Sequence, residues 1–251
     1  MKGFNENAPL VQRLVEHVRN QIMEGTLAPG SQLPNELMLA DQFNVSRSTM
    51  RAALQALERA GFVLRKRGKG TFIADEPLKR NNLSLNWGVT QVIRSIGAVP
   101  GTKELEMSIV PADEKMAKNL NVDPGSEILV IERVRTADLR CVVYTIDYIP
   151  RRIFSALFTE NTLEQIRKFL IEQQSIYQLF EMYLPDNVHH AIAHISPLTA
   201  DDKVAQKLQI SQGSGILYIE QIDYDSDGDP IWVAHEYHVA NAFTFSIYRS
   251  M

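Results

Sequence analysis

The sequence predicts an α+β chain: a small N-terminal helical unit closed by a β-hairpin, then an antiparallel-sheet domain made of two similar halves. Three observations predict it. Apolar residues recur at helical spacing in three successive segments before residue 61. A glycine-turned run with two-residue alternation, "FVLRKRGKGTFI", follows directly. Further on, the stretch that starts at Lys115 reappears, recognisably, at Lys203.

At 251 residues the chain is long enough for two domains with separate cores. No apolar run approaches the ~18–20 residues of a membrane span. The N-terminal "MKGFNENAPLVQRL" has neither the apolar segment nor the cleavage site of a secretory signal. A single cysteine, Cys141, leaves no disulfide framework and no multi-cysteine zinc site; it is expected to pack in a sheet as a small hydrophobe. The expected location is cytoplasmic. Net charge is −4 but unevenly spread: residues 1–74 hold ten Lys/Arg against six Asp/Glu, +4, so the remainder carries −8. Between Ser46 and Phe72 the basic residues Arg47, Arg51, Arg59, Arg65, Lys66, Arg67 and Lys69 meet only Glu58. Such clustering is the footprint of a small nucleic-acid module; a solvated basic face is the plainer alternative, and geometry decides.

The N-terminal elements follow in order. Leu10, Leu14, Val18 and Ile22, with Val11 and Val15 beside them, predict an amphipathic helix ending near Gly25. "LAPGSQLP" is turn chemistry. Asn35 is placed to cap a short helix, "ELMLADQF", with Leu37, Leu39, Ala40 and Phe43 as its apolar stripe. Asn44-Val45 is a turn, Ser46 caps a third helix, and Gly61 stops that helix after about Ala60. Two helices joined this tightly describe a helix-turn-helix. On the third helix Met50, Ala53, Leu54 and Leu57 point inward, while Arg47, Ser48 and Arg51 lie opposite in the first turn and a half. Those positions of the motif enter the major groove, where an arginine fork matches guanine O6 and N7 together. Ser46 and Thr49 are placed for phosphates. The hairpin, turning at Gly68-Lys69-Gly70 after Arg67, is a wing with a basic tip able to lie along a groove.

The joint run "LPNELMLADQFNVSRSTMRAALQALERAGFVLRKRGKGTFI" resembles the winged helix-turn-helix of GntR-type bacterial transcription regulators, and the resemblance spans residues 8–75. It implies double-stranded operator DNA as a partner. The candidate DNA-contacting set is Asn35, Ser46, Arg47, Ser48, Thr49, Arg51, Arg67, Gly68, Lys69 and Gly70. Leu37 departs from the pattern, since many relatives carry arginine or asparagine there.

The expected partition is a DNA-binding domain over 1–75, a linker over 76–82 and a second domain over 83–251. "KMAKNLNVDPGSEILVIERV" (115–134) aligns without gaps to "KVAQKLQISQGSGILYIEQI" (203–222), with nine of twenty positions identical. Each copy reads as a short helix, a Gly-Ser turn, a strand, a turn and another strand, preceded by an alternating segment ("TKELEMSIV"; "HHAIAHI"). Three strands per half predict a six-stranded, mostly antiparallel sheet with helices on one face. In the first copy Glu127, Leu129, Ile131, Arg133 and Arg135 share a face. Two arginines continuing an interior row are costly unless something anionic meets them. The second copy has Gln221 and Asp223 there, so internal pairing, such as Arg135 with Asp223, and a bound small anion both stay open.

The doubled region resembles the UTRA effector-sensing domain of the HutC subfamily of these regulators, which has a chorismate-lyase-like fold. "GSEILVIERVRTADLRCVVYTIDYIP" and "GSGILYIEQIDYDSDGDPIWVAHEYHV" carry the match over 83–248. The resemblance implies effector contacts from Arg133 and Arg135, and from the loop "LSLNWGVTQ" through Ser84, Trp87 and Thr90. Thr145, Glu220 and Tyr237 complete the candidate effector set. Thr145 and Trp232 stand where many relatives are acidic, and Asn241-Ala242 where they carry Asp-Arg; these departures count against an amino sugar.

His235 and His238 fall on opposite strand faces, as do His189 and His190, so no histidine set has metal-ligand spacing. No nucleophile motif or phosphate loop is present. The expectation is a ligand-responsive transcription regulator, a repressor in most relatives, and not an enzyme. It needs no cofactor or metal, acts as a homodimer away from membranes, and answers to a sugar phosphate, phosphonate or carboxylate. A small-molecule enzyme with a vestigial DNA-binding domain is the alternative, and an unliganded architectural DNA binder a third.

Overall fold

The computed structural model describes residues 10–23, 25–59, 61–74, 88–158, 161–184 and 188–245. Its contacts divide the chain into two compact units, Met1–Leu85 with Phe245–Met251, and Asn86–Thr244.

In the first unit, α1 (Leu10–Met23), α2 (Glu36–Gln42) and α3 (Arg47–Arg59) precede a hairpin of β1 (Val63–Lys66) and β2 (Gly70–Ile73). The core is the predicted one in the main: Leu14, Val18 and Ile22 of α1 meet Met50, Ala53, Leu54 and Leu57 of α3, closed by Phe62, Val63 and Ile73. One expectation fails. Leu37 leaves the apolar stripe of α2: it is 57% exposed, beside an equally exposed Met38, while Leu39 and Ala40 carry the burial. A seven-residue helix has room for one buried turn only. Asn44 takes a left-handed φ of 52° in the turn between α2 and α3, a conformation that asparagine tolerates. The stretch read as turn chemistry also does more than turn. Ile73 donates its N–H to the Ser31 carbonyl at 2.8 Å and Leu33 donates to that of Thr71 at 2.9 Å, so residues 31–33 pair with β2.

The second unit runs α4 (Val89–Ser95), β3 (Pro100–Pro111), α5 (Glu114–Leu120), β4 (Glu127–Ala137), β5 (Arg140–Pro150), α6 (Arg151–Leu157), α7 (Thr162–Glu172), α8 (Ile176–Tyr183), β6 (His190–Thr199), α9 (Asp202–Leu208), β7 (Gly215–Tyr224) and β8 (Pro230–Val239). The six strands form one antiparallel sheet in the order β3-β4-β5-β8-β7-β6, so the two halves meet at β5 and β8. The repeat extends to its caps. Asp113 and Asp201 accept N–H bonds at the starts of α5 and α9, and Asn121 and Gln209 end them with φ of 52° and 57°.

Helices cover both faces of the sheet, not one. α5 and α9 pack on the side of Ile128, Val130, Val134 and Ile216. α6, α7 and α8 pack on the side of Leu129, Ile131 and Trp232, through Phe154, Ile166, Leu170, Leu179 and Phe180. The expectation came from the repeat unit, which contains only the first pair. The helices of residues 151–183 join the halves and have no counterpart in the repeat, and they bury what would otherwise be an exposed apolar face.

Candidate functional site

Two polar sites stand out, one in each unit. In the first, Asn35 accepts the Met38 N–H at 2.9 Å and so starts α2, and Ser46 accepts that of Thr49 at 3.1 Å and starts α3. Ser46 Oγ also lies 2.8 Å from Ser48 Oγ and 2.6 Å from Thr49 Oγ1, which gathers three hydroxyls at the helix start. Arg47 and Arg51 project from the first turns with 63% and 49% of their side chains exposed. Arg67, Gly68 and Lys69 form the wing turn and Gly70 opens β2. Gln32 Nε2 donates to the Lys69 carbonyl at 2.7 Å, and a Cβ on Gly70 would meet that same nitrogen at 2.7 Å. Gly70, at φ 111°, is held to glycine by its backbone, and a Cβ there would also displace the Gln32 amide from the Lys69 carbonyl. Between α2, α3 and the wing runs an open groove of about 590 Å³, lined among others by Asn35, Arg47, Arg67, Gly68 and Gly70. Five of the ten residues of the predicted DNA set, Asn35, Arg47, Arg67, Gly68 and Gly70, thus line this groove; Ser46, Ser48, Thr49, Arg51 and Lys69 are not in its lining.

Sequence reasoning missed Glu36. Its carboxylate accepts from Arg51 Nε and Arg65 NH2, both at 3.0 Å, and lies 3.7 Å from Arg47 Nε. The bond to Arg51 is made by its Nε. Glu36 and Asp41 both precede the basic stretch, and spacing alone does not say which of them meets the arginines.

The second site lies under the helical layer of the sheet. The interior-facing register of β4 is as expected: Arg133 and Arg135 are 3% and 1% exposed. Across β4 and β5, Arg133 NH2 donates to Asp147 Oδ2 at 2.8 Å. Arg135 does not pair with Asp223, as one expectation had it. It donates from Nε to the Gly101 carbonyl at 3.2 Å and from NH2 to Thr90 Oγ1 at 3.1 Å. Asp223 accepts instead from Tyr177 Oη at 3.1 Å and from Gln221 Nε2 at 2.8 Å. Thr90 lies on α4, not in a loop, and donates to the Gln174 carbonyl at 2.5 Å. Arg135 therefore links the sheet to α4, and Thr90 links α4 to the segment ahead of α8.

Among the described residues Arg135 has no carboxylate within ion-pair distance. Burial first, and then the like charge of Arg133, push its guanidinium down to about 9. Burial pushes the Asp147 carboxyl up, against the pull of Arg133. Arg133 Nε and NH1, Thr145 Oγ1 and Trp232 Nε1 are buried without a partner among the described residues. Buried polar atoms seldom stay unmatched, because each costs about 1–3 kcal/mol. These groups line a cavity of about 20 Å³ together with Thr90, Asp147, Tyr177 and Glu236, room for about one water.

The other predicted effector residues divide. Ser84 and Trp87 lie outside the described residues. Glu220 and Tyr237 are on the opposite face of the sheet and do not join the cavity. Glu220 accepts from Lys115 of α5 at 3.0 Å, and Tyr237 packs against Tyr144 and Tyr218. Asp147, Tyr177 and Glu236 were missed. Asp147 sits on the same face as Arg133 through the register of β4 on β5, which a single strand does not reveal. No group of three or more His, Cys, Asp or Glu is arranged to hold a metal among the described residues.

A winged helix-turn-helix with a basic groove, carried with a separate domain that encloses a buried cationic cavity, defines a ligand-responsive transcription regulator. Comparison with known proteins supplies the family. The profile of bacterial regulatory proteins of the gntR family matches residues 10–73, and that of the UTRA domain matches residues 95–244. The chain belongs to the GntR family, in its UTRA-containing branch. It is 30% identical over 245 residues to the HTH-type transcriptional regulator Rv0792c of Mycobacterium tuberculosis, covering 96% of this chain and 86% of that one. It is 28% identical over 240 residues to the HTH-type transcriptional repressor NagR of Bacillus subtilis, covering 96% and 94%. The fold is similar to that of the possible transcriptional regulator YydK of Bacillus subtilis, with a TM-score of 0.74 at 22% identity, over 96% and 100% of the two chains.

Proposed function

We propose that the chain represses transcription in the cytoplasm as a homodimer on a two-fold operator, and that a small anionic metabolite at Arg133 and Arg135 releases it. Residues 1–75 would read DNA through Arg47 and Arg51, and residues 83–251 would sense the metabolite, with 76–82 between them. A dimer follows from economy of recognition: one helix contacts too few base pairs, and two must be spaced about 34 Å apart. The observation that carries the effector reading is the buried, carboxylate-free guanidinium of Arg135 beside the unmatched donors of Arg133. A phosphate, phosphonate or carboxylate oxygen would satisfy both. The same bond that Arg135 makes to Thr90 supports the coupling, since an anion drawing Arg135 away would free α4.

The two arginines need different tests. Arg133→Ala would strand Asp147 in the interior, a loss of about 3–5 kcal/mol that confuses folding with binding. Arg135→Gln removes charge and keeps a donor. Thermal-shift screening against sugar phosphates, phosphonates and carboxylates should find a ligand for the wild type; at 100 times Kd the gain is about 2.7 kcal/mol. Arg135→Gln should lose that shift and still bind operator as wild type does. A variant that leaves operator at the wild-type ligand concentration would overturn the assignment.

A further inference from the structure

Two large apolar side chains stand exposed side by side in α2, Leu37 at 57% and Met38 at 59%. An exposed leucine by itself needs no explanation, since much of any protein surface is apolar. Place separates these two. Leu37 lines the groove between α2, α3 and the wing, and Met38 does not. The rest of that lining is polar, charged or glycine, apart from Leu33, which at 5% exposed belongs to the core. One leucyl side chain therefore stands open in a groove that is otherwise hydrophilic among the described residues.

Its neighbours place it beside the start of α3. The Glu36 carboxylate binds Arg51 and Arg65 at 3.0 Å and lies 3.7 Å from Arg47 Nε. Leu37 follows Glu36 directly and shares the groove lining with Arg47. Facing DNA, such a side chain has few suitable partners. The major groove offers hydrogen-bonding groups at every base pair and a single kind of apolar group, the C5-methyl of thymine. Against a donor or acceptor, leucine strips water and returns no hydrogen bond. Against the methyl it forfeits no hydrogen bond and buries apolar surface on both partners.

We infer that Leu37 packs on the C5-methyl of a thymine next to the base that Arg47 reads, and so helps to determine the operator sequence. The inference rests on the DNA reading of the groove and deepens it. An arginine discriminates by donating hydrogen bonds; Leu37 discriminates by shape and by exclusion of water. A methyl on C5 of cytosine occupies the same place in the groove, so the contact also responds to cytosine methylation at that base pair.

The test takes the full chain and a duplex that it selects from a random pool. Each thymine is replaced singly by deoxyuridine, which removes the methyl and keeps every hydrogen-bonding group. At one thymine flanking the base whose preference Arg47→Ala relaxes, the wild type should lose about fourfold in affinity, the worth of about one buried methylene. Leu37→Ala should bind the thymine and deoxyuridine duplexes alike, and Met38→Ala should keep the wild-type difference. Leu37 lies outside the buried core, so its truncation should leave the melting temperature unchanged. With C·G in place of that T·A pair, methylation at the cytosine C5 should tighten the wild type and leave Leu37→Ala as it was. A wild type that discriminates at no such thymine, or a Leu37→Ala variant that discriminates as the wild type does, would overturn the inference and leave the DNA reading standing. A protein that selects no duplex at all would overturn both.

Discussion

Glu36 lies within ion-pair reach of Arg47, Arg51 and Arg65, and on the proposed reading it would influence how α3 addresses DNA. Under that reading the Nε contact would limit the orientations open to the Arg51 guanidinium before binding. Arg47→Ala and Arg51→Ala should each weaken operator binding by roughly 1–3 kcal/mol and relax its sequence preference. Lys69→Ala, at the wing rim, should weaken all sequences alike and flatten the salt dependence; competition gel shifts at two salt concentrations separate the two behaviours. On the sheet, His235 gives a stability signal. Burial holds its imidazole below the ordinary 6.5, with Glu220 at 3.3 Å pulling the other way. On acidification the unfolded chain takes up this proton first, so stability present above 6.5 is lost as pH falls through 6.5 toward the folded value. Wild type should melt lower at about pH 5.5 than at about pH 7.5, and His235→Gln should shrink that difference. At this scale the sequence is half transparent. Period-two alternation was enough to bury Arg133 and Arg135. Their partners Asp147 and Thr90 come from other elements, and no local pattern announces them.

Among the elements, the β4–β5 turn carries a correctable strain. Asp138 and Leu139 both have positive φ, 47° and 72°, in a two-residue hairpin of the kind that favours glycine at its second position. Leu139 is 92% exposed, so its side chain contributes no burial there. Leu139→Gly should stabilise by about 1 kcal/mol, the approximate cost of a left-handed residue with a Cβ, seen as a higher Tm with the sheet unchanged. The strands and the paired helices α5 and α9 were legible because the repeat states each of them twice. α6, α7 and α8 were not, since nothing in the other half echoes them. α4 hid inside a segment whose Gly and Asn suggest a loop, although Val89, Val92 and Ile93 are buried.

For the molecule as a whole, the apolar clusters of Asn86–Thr244 are internal to that unit. A chain beginning at Asn86 should therefore unfold in one cooperative transition and bind the same anion as the full protein; calorimetry with and without ligand checks both. Fold class and the order of the two parts were readable because motif and repeat are properties of sequence order. Which face of the sheet holds the buried cavity was not, because that depends on a helical layer lying between the repeats.

The cavity beneath that layer has room for about one water, and this has a consequence in time. If the effector binds there as proposed, a metabolite of ordinary size would enter only after α4 or α8, which line the cavity, had moved. At high concentration the rate of entry then stops rising and settles at the rate of opening, typically microseconds to milliseconds. Departure waits on the same door. Bursts of metabolite shorter than an opening event pass unregistered, while a molecule already inside is slow to leave. On the effector reading proposed above, so small an interior would make the protein a filter that answers to sustained supply.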